Sequence, residues 1–219
     1  NIMLNKFDID FLEKNTQFYS KLTKEDKDLF NSKAIHVTYS KDDSLYFSDK
    51  NCNGFITVLS GTLRAFLTSD EGKEITLYRL EKGYSCILSA SCIFKNIQFN
   101  INIDALEHTE AIVFPSEYLQ KLSQNNMSLN QYILDLTQSR FSEVMWIMQD
   151  IVFTSFDKRL IKYLESFNKK VIKVTHENIA NDLGTAREVV SRMLKYFEKE
   201  GMVKLSRGSI TIIDLSKNK

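Results

Sequence analysis

Residues 175–195, THENIANDLGTAREVVSRMLK, hold two short apolar patterns that meet at Gly184. Ile179 and Leu183 keep helical spacing before the glycine, and Val190, Met193, Leu194 and Phe197 keep it afterwards. Two helices that cross closely need a small residue at the crossing, a glycine at the tight turn and an aliphatic residue inside the second helix. Ala180, Gly184 and Val190 fill those three places. Thr175 is positioned to cap the first helix, and Thr185 with Glu188 spells the T-x-x-E capping box of the second. An ordinary helical hairpin shares the apolar spacing but has no need of Ala and Gly in this register. The stretch therefore predicts a helix-turn-helix.

With the apolar positions turned inward, Arg187, Glu188, Ser191, Arg192 and Lys195 face outward near the start of the second helix. The major groove presents guanine O6 and N7 to an arginine and cytosine N4 to a glutamate. Arg187, Glu188, Ser191 and Arg192 are thus candidate base readers. A surface ion pair between Glu188 and Arg192, worth a few tenths of a kcal/mol, is the competing reading. Thr175, Thr185, Lys195, Lys199, Lys204 and Arg207, together with Lys158 and Arg159, are candidate phosphate contacts, which set affinity and its salt dependence. Charge supports this division. The net charge of the 219 residues is +1, yet residues 154–219 hold 14 Lys+Arg against 8 Asp+Glu, and residues 1–153 hold 15 against 20. A basic module on an acidic body is expected where one part approaches a polyanion, here double-stranded DNA.

Upstream, from about Ile35 to Phe114, short alternating segments are broken by Gly54, Gly61, Gly72 and Gly83, the pattern of a small antiparallel barrel or jelly roll. Ser69–Gly72 reads as a hairpin turn, and Pro115 followed by Ser116 and Glu117 as a helix entry. A long helix is expected over about 128–153. Leu134, Thr137, Phe141, Val144, Met148 and Ile151 alternate in steps of three and four along it, as in a coiled-coil seam, which predicts a homodimer. A second apolar face through Leu136, Trp146 and Ile147 is then free to cover the barrel. After it come a helix in SFDKRLIKYLESF, a strand in KVIKV, the opening motif, and a hairpin turning at Arg207 and Gly208. The expected fold class is α+β, with a sensor barrel and flanking helices over 1–127, a dimerisation helix over 128–153 and a winged helix-turn-helix over 154–219.

No window approaches the roughly 18–20 apolar residues of a membrane span, and NIMLNKFDID has acids where a secretory signal has an apolar core. Three cysteines, Cys52, Cys86 and Cys92, lack zinc-ligand spacing and suit a reducing compartment. A cytoplasmic protein with no membrane partner is expected.

FITVLSGTLRAFLTSDEGKEITLYRLEKG, the long helix and IANDLGTAREVVSRMLKYFEKEGMV together resemble the CRP/FNR superfamily of bacterial transcription regulators, over about residues 18–214. The resemblance implies a cyclic-nucleotide-binding-type jelly roll that senses a signal, a dimerising helix and a winged helix-turn-helix on an inverted-repeat promoter site, with RNA polymerase as a further partner. Glu188 and Arg192 match the family's base readers, which implies a half-site with a TGA-type core.

The signal is a separate question. Cyclic-nucleotide binders of this fold carry G-E-[LI] followed by R-[ST]; here Ile87 and Leu88 stand at the first place and Phe99 and Asn100 near the second, with no arginine between Arg79 and Arg140. A buried phosphate without a cation is heavily penalised, which argues against cyclic AMP. Three cysteines do not supply the four thiolates of an iron-sulfur cluster. Cys86 and Cys92 are candidate thiols for redox or nitric oxide sensing, although cysteine among Ile, Leu and Ala is more often a core residue. Haem ligated from among His36, His108, Met145 and Met148 is another possibility, as is an unidentified small molecule. A cupin-like enzyme requires clustered metal ligands on the strands, and the three histidines are scattered; no enzymatic activity is expected.

Overall fold

Alternating apolar residues and well-placed turns build the first part of the chain as strands, and a computed structural model describes residues 2–45, 54–87 and 101–217. Two units emerge, one of Asn1–Phe66 with Leu77–Glu143, the other of Leu67–Thr76 with Val144–Lys219.

In the first unit, β1 (Ile2–Met3), β2 (Ile35–Tyr39), β9 (Thr109–Phe114), β4 (Phe55–Ser60) and β7 (Ser85–Cys86) form one sheet in that order. A second sheet runs β3 (Ser44–Leu45), β8 (Asn102–Ala105), β5 (Leu63–Thr68) and β6 (Glu74–Leu80). Their ladders are antiparallel, as in β2 on β9 from Ile35↔Val113 to Tyr39↔Thr109. Gly61 makes the turn from β4 to β5 at φ +81, where a Cβ would stand 2.4 Å from the His108 carbonyl oxygen, so a side chain fits neither the backbone nor the space.

Helices α1 (Lys6–Asn15), α2 (Lys24–Lys33) and α3 (Ser116–Asn125) flank these sheets in the chain. The start of α1 is fixed by a reciprocal cap: Asp8 N–H donates to Asn5 Oδ1 at 3.0 Å and Asn5 N–H to Asp8 Oδ2 at 2.9 Å. Asp8 is fully buried, and its other oxygen lies 3.0 Å from His36 Nδ1 on β2. Rings fill the space behind. Phe30 stacks on Phe114 with centroids 4.3 Å apart, and Phe18 meets Phe55 edge-on at 5.5 Å.

Helix α4 (Met127–Phe153) is unbroken over 27 residues, about 40 Å at 1.5 Å per residue. Its first half joins the first unit's core through buried Leu129 and through Tyr132, 5.0 Å from the Phe18 ring. Arg140 is buried on the same face, its guanidinium 4.7 Å from the Tyr78 ring centre and its Nη1 2.6 Å from Glu143 Oε2.

The second unit follows the expected order: α5 (Phe156–Ser166), β10 (Val171–Ile172), α6 (His176–Leu183), α7 (Arg187–Lys199), then the hairpin β11 (Val203–Ser206) and β12 (Ser209–Ile212). The strand expected across KVIKV shrinks to the two residues that pair with Thr211 and Ile210 of β12. Leu160, Leu164, Ile179, Val190, Leu194 and Phe197 are the centre of its core, closed from the hairpin side by Val203 and Ile210.

Phe30 touches three other buried rings, so Phe30→Ala is expected to cost about 3–5 kcal/mol. Urea unfolding followed by aromatic circular dichroism measures this, and a loss below about 1 kcal/mol contradicts the packing described.

Candidate nucleic-acid interface

The turn between α6 and α7 is set by Gly184 in the left-handed region, φ 64 and ψ 48, with its N–H returned to the Ala180 carbonyl. That is the C-terminal stop of a helix that only glycine adopts freely. A Cβ there would come within 2.8 Å of Ile75 Cδ1, the movable end of a side chain, so the positive φ is the stronger demand for glycine. Ala180 is buried at the crossing and Val190 inside α7. Thr175 caps α6, its Oγ1 accepting from Asn178 N–H at 3.0 Å. The capping box expected from Thr185 and Glu188 does not form: the cap of α7 is Ala186, with no side-chain bond, because the helix starts one residue later than the T-x-x-E register requires. Thr185 instead gives its N–H to the Ala180 carbonyl at 3.0 Å and belongs to the turn.

Arg187, Glu188, Arg192 and Lys195 are exposed along α7. The Glu188–Arg192 ion pair is not made, and among the described residues neither side chain has a hydrogen-bonding partner. Ser191 is half-buried, its Oγ 2.8 Å from His176 Nδ1. Sequence reasoning missed that bond; the signal was the fifteen-residue separation that an α6–α7 crossing brings together. Burial, reinforced by the positive charges of Arg187 and Lys195, holds the His176 imidazole below its ordinary 6.5. Lys199, Lys204 and Arg207 are exposed at the end of α7, on β11 and in the wing turn, and Thr175 is exposed at the start of α6. Lys158 is exposed too, but Arg159 is half-buried and donates from Nη1 to the Leu183 carbonyl at 2.9 Å, which removes it from the set of surface cations.

Asp182, at the end of α6, accepts from Thr76 Oγ1 and from the Tyr163 hydroxyl, each at 2.8 Å. The strand-loop segment Leu67–Thr76, α5 and α6 are thereby tied at one carboxylate.

Chain similarity fits this geometry. Residues 158–217 match the Crp-like helix-turn-helix domain and residues 36–126 the cyclic nucleotide-binding domain. A transcriptional regulator of the CRP/FNR family from Eubacterium rectale is 39% identical, over 94% of this chain and 97% of that one, and its crystal structure superposes with a TM-score of 0.87. The chain belongs to the CRP/FNR family. Among CRP/FNR relatives, the anaerobic regulatory protein of Haemophilus influenzae is 25% identical over 80% of this chain and 72% of its own. The cyclic AMP receptor protein of Thermus thermophilus is 24% identical over 91% and 93%. The protein is accordingly a DNA-binding transcription regulator of CRP/FNR type, with the helix-turn-helix as its DNA-binding element.

The family's sensor half is less explicit. Cys86 is buried, its Sγ 3.5 Å from the Tyr78 hydroxyl, while Cys52, Cys92, Leu88, Phe99 and Asn100 lie outside the described residues. His36 is engaged with Asp8, and His108 is exposed at the β8–β9 turn. Met145 and Met148 are exposed on α4. Among the described residues no group of three or more His, Cys, Asp or Glu is arranged to hold a metal ion, and no helix is long and apolar enough to cross a membrane.

On α4, Leu134, Phe141, Met148 and Ile151 are exposed, whereas Thr137 and Val144 are half-buried and Thr137 spends its hydroxyl on the Ile133 carbonyl at 2.7 Å. Met145 and Val152, which lie outside the seam expected from the sequence, are exposed as well. Of the second apolar face, Trp146 is 70% exposed, and Leu136 and Ile147 are half-buried.

Because unfolding restores the ordinary imidazole value, the unfolded chain takes up a proton on His176 first as the pH falls below 6.5. The second unit is therefore expected to lose stability between 6.5 and the lower folded value. His176→Asn removes this component, so the drop in Tm between about pH 7.5 and about pH 5 becomes smaller than in the native protein. An equal drop in both excludes His176 as its source.

Proposed function

We propose that the protein binds promoter DNA as a homodimer joined along α4, with α7 of each copy in the major groove of one half of an inverted repeat. The observation that carries this reading is the set of unpartnered exposed side chains on α7, Arg187, Glu188 and Arg192, held outward by a buried opposite face. Groups that forgo both internal pairing and each other are available for base edges. A TGA-type core in each half-site accords with Glu188 and Arg192. Ser191 reaches bases only together with His176, which already holds its hydroxyl. Lys195, Lys199, Lys204 and Arg207 supply phosphate contacts, with Thr175 at the start of α6 and Thr185 in the turn that follows that helix.

Support for the dimer comes from Leu134, Phe141, Met148 and Ile151 of the expected seam, exposed apolar residues of α4 beside which Met145 and Val152 are exposed as well. Isolated exposed apolar side chains are ordinary, but a continuous helical stripe of them marks an interaction surface. The first unit is the signal-receiving half. No arginine stands between Arg79 and Arg140 to meet a cyclic phosphate, so we take the signal to be something other than cyclic AMP. The reading puts the protein in the cytoplasm, with RNA polymerase as the partner through which DNA binding alters transcription.

Two measurements test the reading. Binding to an inverted repeat and to scrambled duplex, compared by fluorescence anisotropy, separates the roles of the cations. Arg192→Ala is expected to lose about 1–3 kcal/mol of discrimination between the two. Lys204→Ala is expected to weaken both alike and to lower the salt slope by about 1. Equal effects of the two substitutions on every duplex overturn the assignment. In sedimentation, Phe141→Glu is expected to convert a dimer into a monomer that melts as a folded protein; a native protein that already sediments as a monomer at micromolar concentration sinks the dimer.

A further inference from the structure

At about 100° per residue, Ser191 lies between Arg187 and Glu188 in projection and about one turn further along α7. It is a short side chain in a row of long ones and, among the described residues, the member of that row that is hydrogen-bonded: its Oγ lies 2.8 Å from Nδ1 of His176, the first residue of α6. A serine hydroxyl free to rotate both donates and accepts, and so pairs with any base edge in the major groove. Such a serine discriminates little. A second bond that fixes its proton makes it selective.

The direction of that bond follows from what surrounds the ring. Burial, with the positive charges of Arg187 and Lys195 beside it, favours the neutral imidazole, which has one N–H and one lone pair. Nδ1 is engaged with Ser191, and Nε2 makes no hydrogen bond among the described residues. Arg187 and Lys195 mark this as the side a duplex approaches, and there Nε2 keeps the proton, because phosphates offer acceptors only. Nδ1 is left with the lone pair and takes the proton of Ser191. We infer that His176 is a specificity-determining residue: by holding the hydroxyl proton it leaves Ser191 only lone pairs toward the DNA. Ser191 then selects a base with an exocyclic amino group, adenine N6 or cytosine N4, and rejects the carbonyl of guanine or thymine at the same place. The inference rests on α7 being the helix that reads the duplex.

Duplexes recovered from a randomised pool by the native protein are the probe, and each base pair of the recovered repeat is permuted in both halves together. The base pair at which Ser191→Ala abolishes the preference is the one that Ser191 reads. There, replacing the base by its analogue without the amino group, purine for adenine or pyrimidinone for cytosine, is expected to weaken native binding about fivefold or more, and binding by Ser191→Ala less than about twofold. His176→Phe keeps a ring but has no lone pair for the hydroxyl, and is expected to lose that penalty. His176→Asn, whose Oδ1 accepts in place of Nδ1, is expected to keep it. In both variants the preferences at other base pairs persist. A thermal melt checks folding, and His176→Ala takes the place of a phenylalanine variant that does not fold. A folded variant without the imidazole that keeps the penalty, or that loses its preference at every base pair alike, overturns the inference. So does a penalty that follows removal of a carbonyl instead of an amino group, or a Ser191→Ala protein with every preference intact. A native protein that recovers no sequence overturns the reading of α7 itself, and this inference with it.

Discussion

Val190, Leu194 and Phe197 are sealed against Leu160, Leu164 and Ile179, and this one apolar contact decides the direction of every other side chain on α7. Burying each of the three contributes about 1.5–3 kcal/mol, so turning the helix by one residue's rotation would forfeit more than any surface interaction returns. The charged face has no such choice of partners. Arg187, Glu188 and Arg192 point outward because the opposite side must point inward, and among the described residues they are solvated and make no side-chain hydrogen bond or ion pair. On the proposed reading of α7, recognition of a duplex by this protein rests on a hydrophobic constraint on the far side of that helix.

Much of this was legible in the sequence because the decisive signals are local. Ala180, Gly184 and Val190 are each required by geometry within a few residues, and the structure places them at the crossing, the left-handed turn and the core. The cap at Thr185 was misread for an equally physical reason: T-x-x-E marks a favourable start without saying whether the chain leaves the turn one residue later, at Ala186. Long-range contacts were out of reach. Nothing near Arg159 in sequence reveals that the Leu183 carbonyl, 24 residues away, takes its guanidinium out of the surface. The bond from His176 to Ser191 likewise exists only once the helices cross.

The barrel shows the same division from the other side. Its strands follow from alternation and its turns from glycines, yet what it receives depends on side chains that the fold itself does not dictate. Asp8 with Asn5 and His36, and Arg140 with Glu143 and the Tyr78 ring, are examples of buried groups of the first unit that engage one another. Family membership accounts for the architecture and for the DNA-binding half, whose chemistry is common to its members. The signal is an individual property.

The stripe on α4 carries a geometric consequence of its own. Steps of three and four beginning at Leu134 reach Phe141 and Met148 whether the intermediate residue is Thr137 or Gln138, and only polar Gln138 hides the phase that continues to Met145 and Val152. A strict seven-residue repeat on a helix of 3.6 residues per turn drifts by about 20° each heptad, so two such helices in contact would wind about each other in a left-handed sense. One residue inserted ahead of Phe141 would swing the downstream stripe by about 100° relative to the upstream part. The spacing of the α4 side chains, more than their hydrophobicity, would then fix the angle at which a pair of such helices cross.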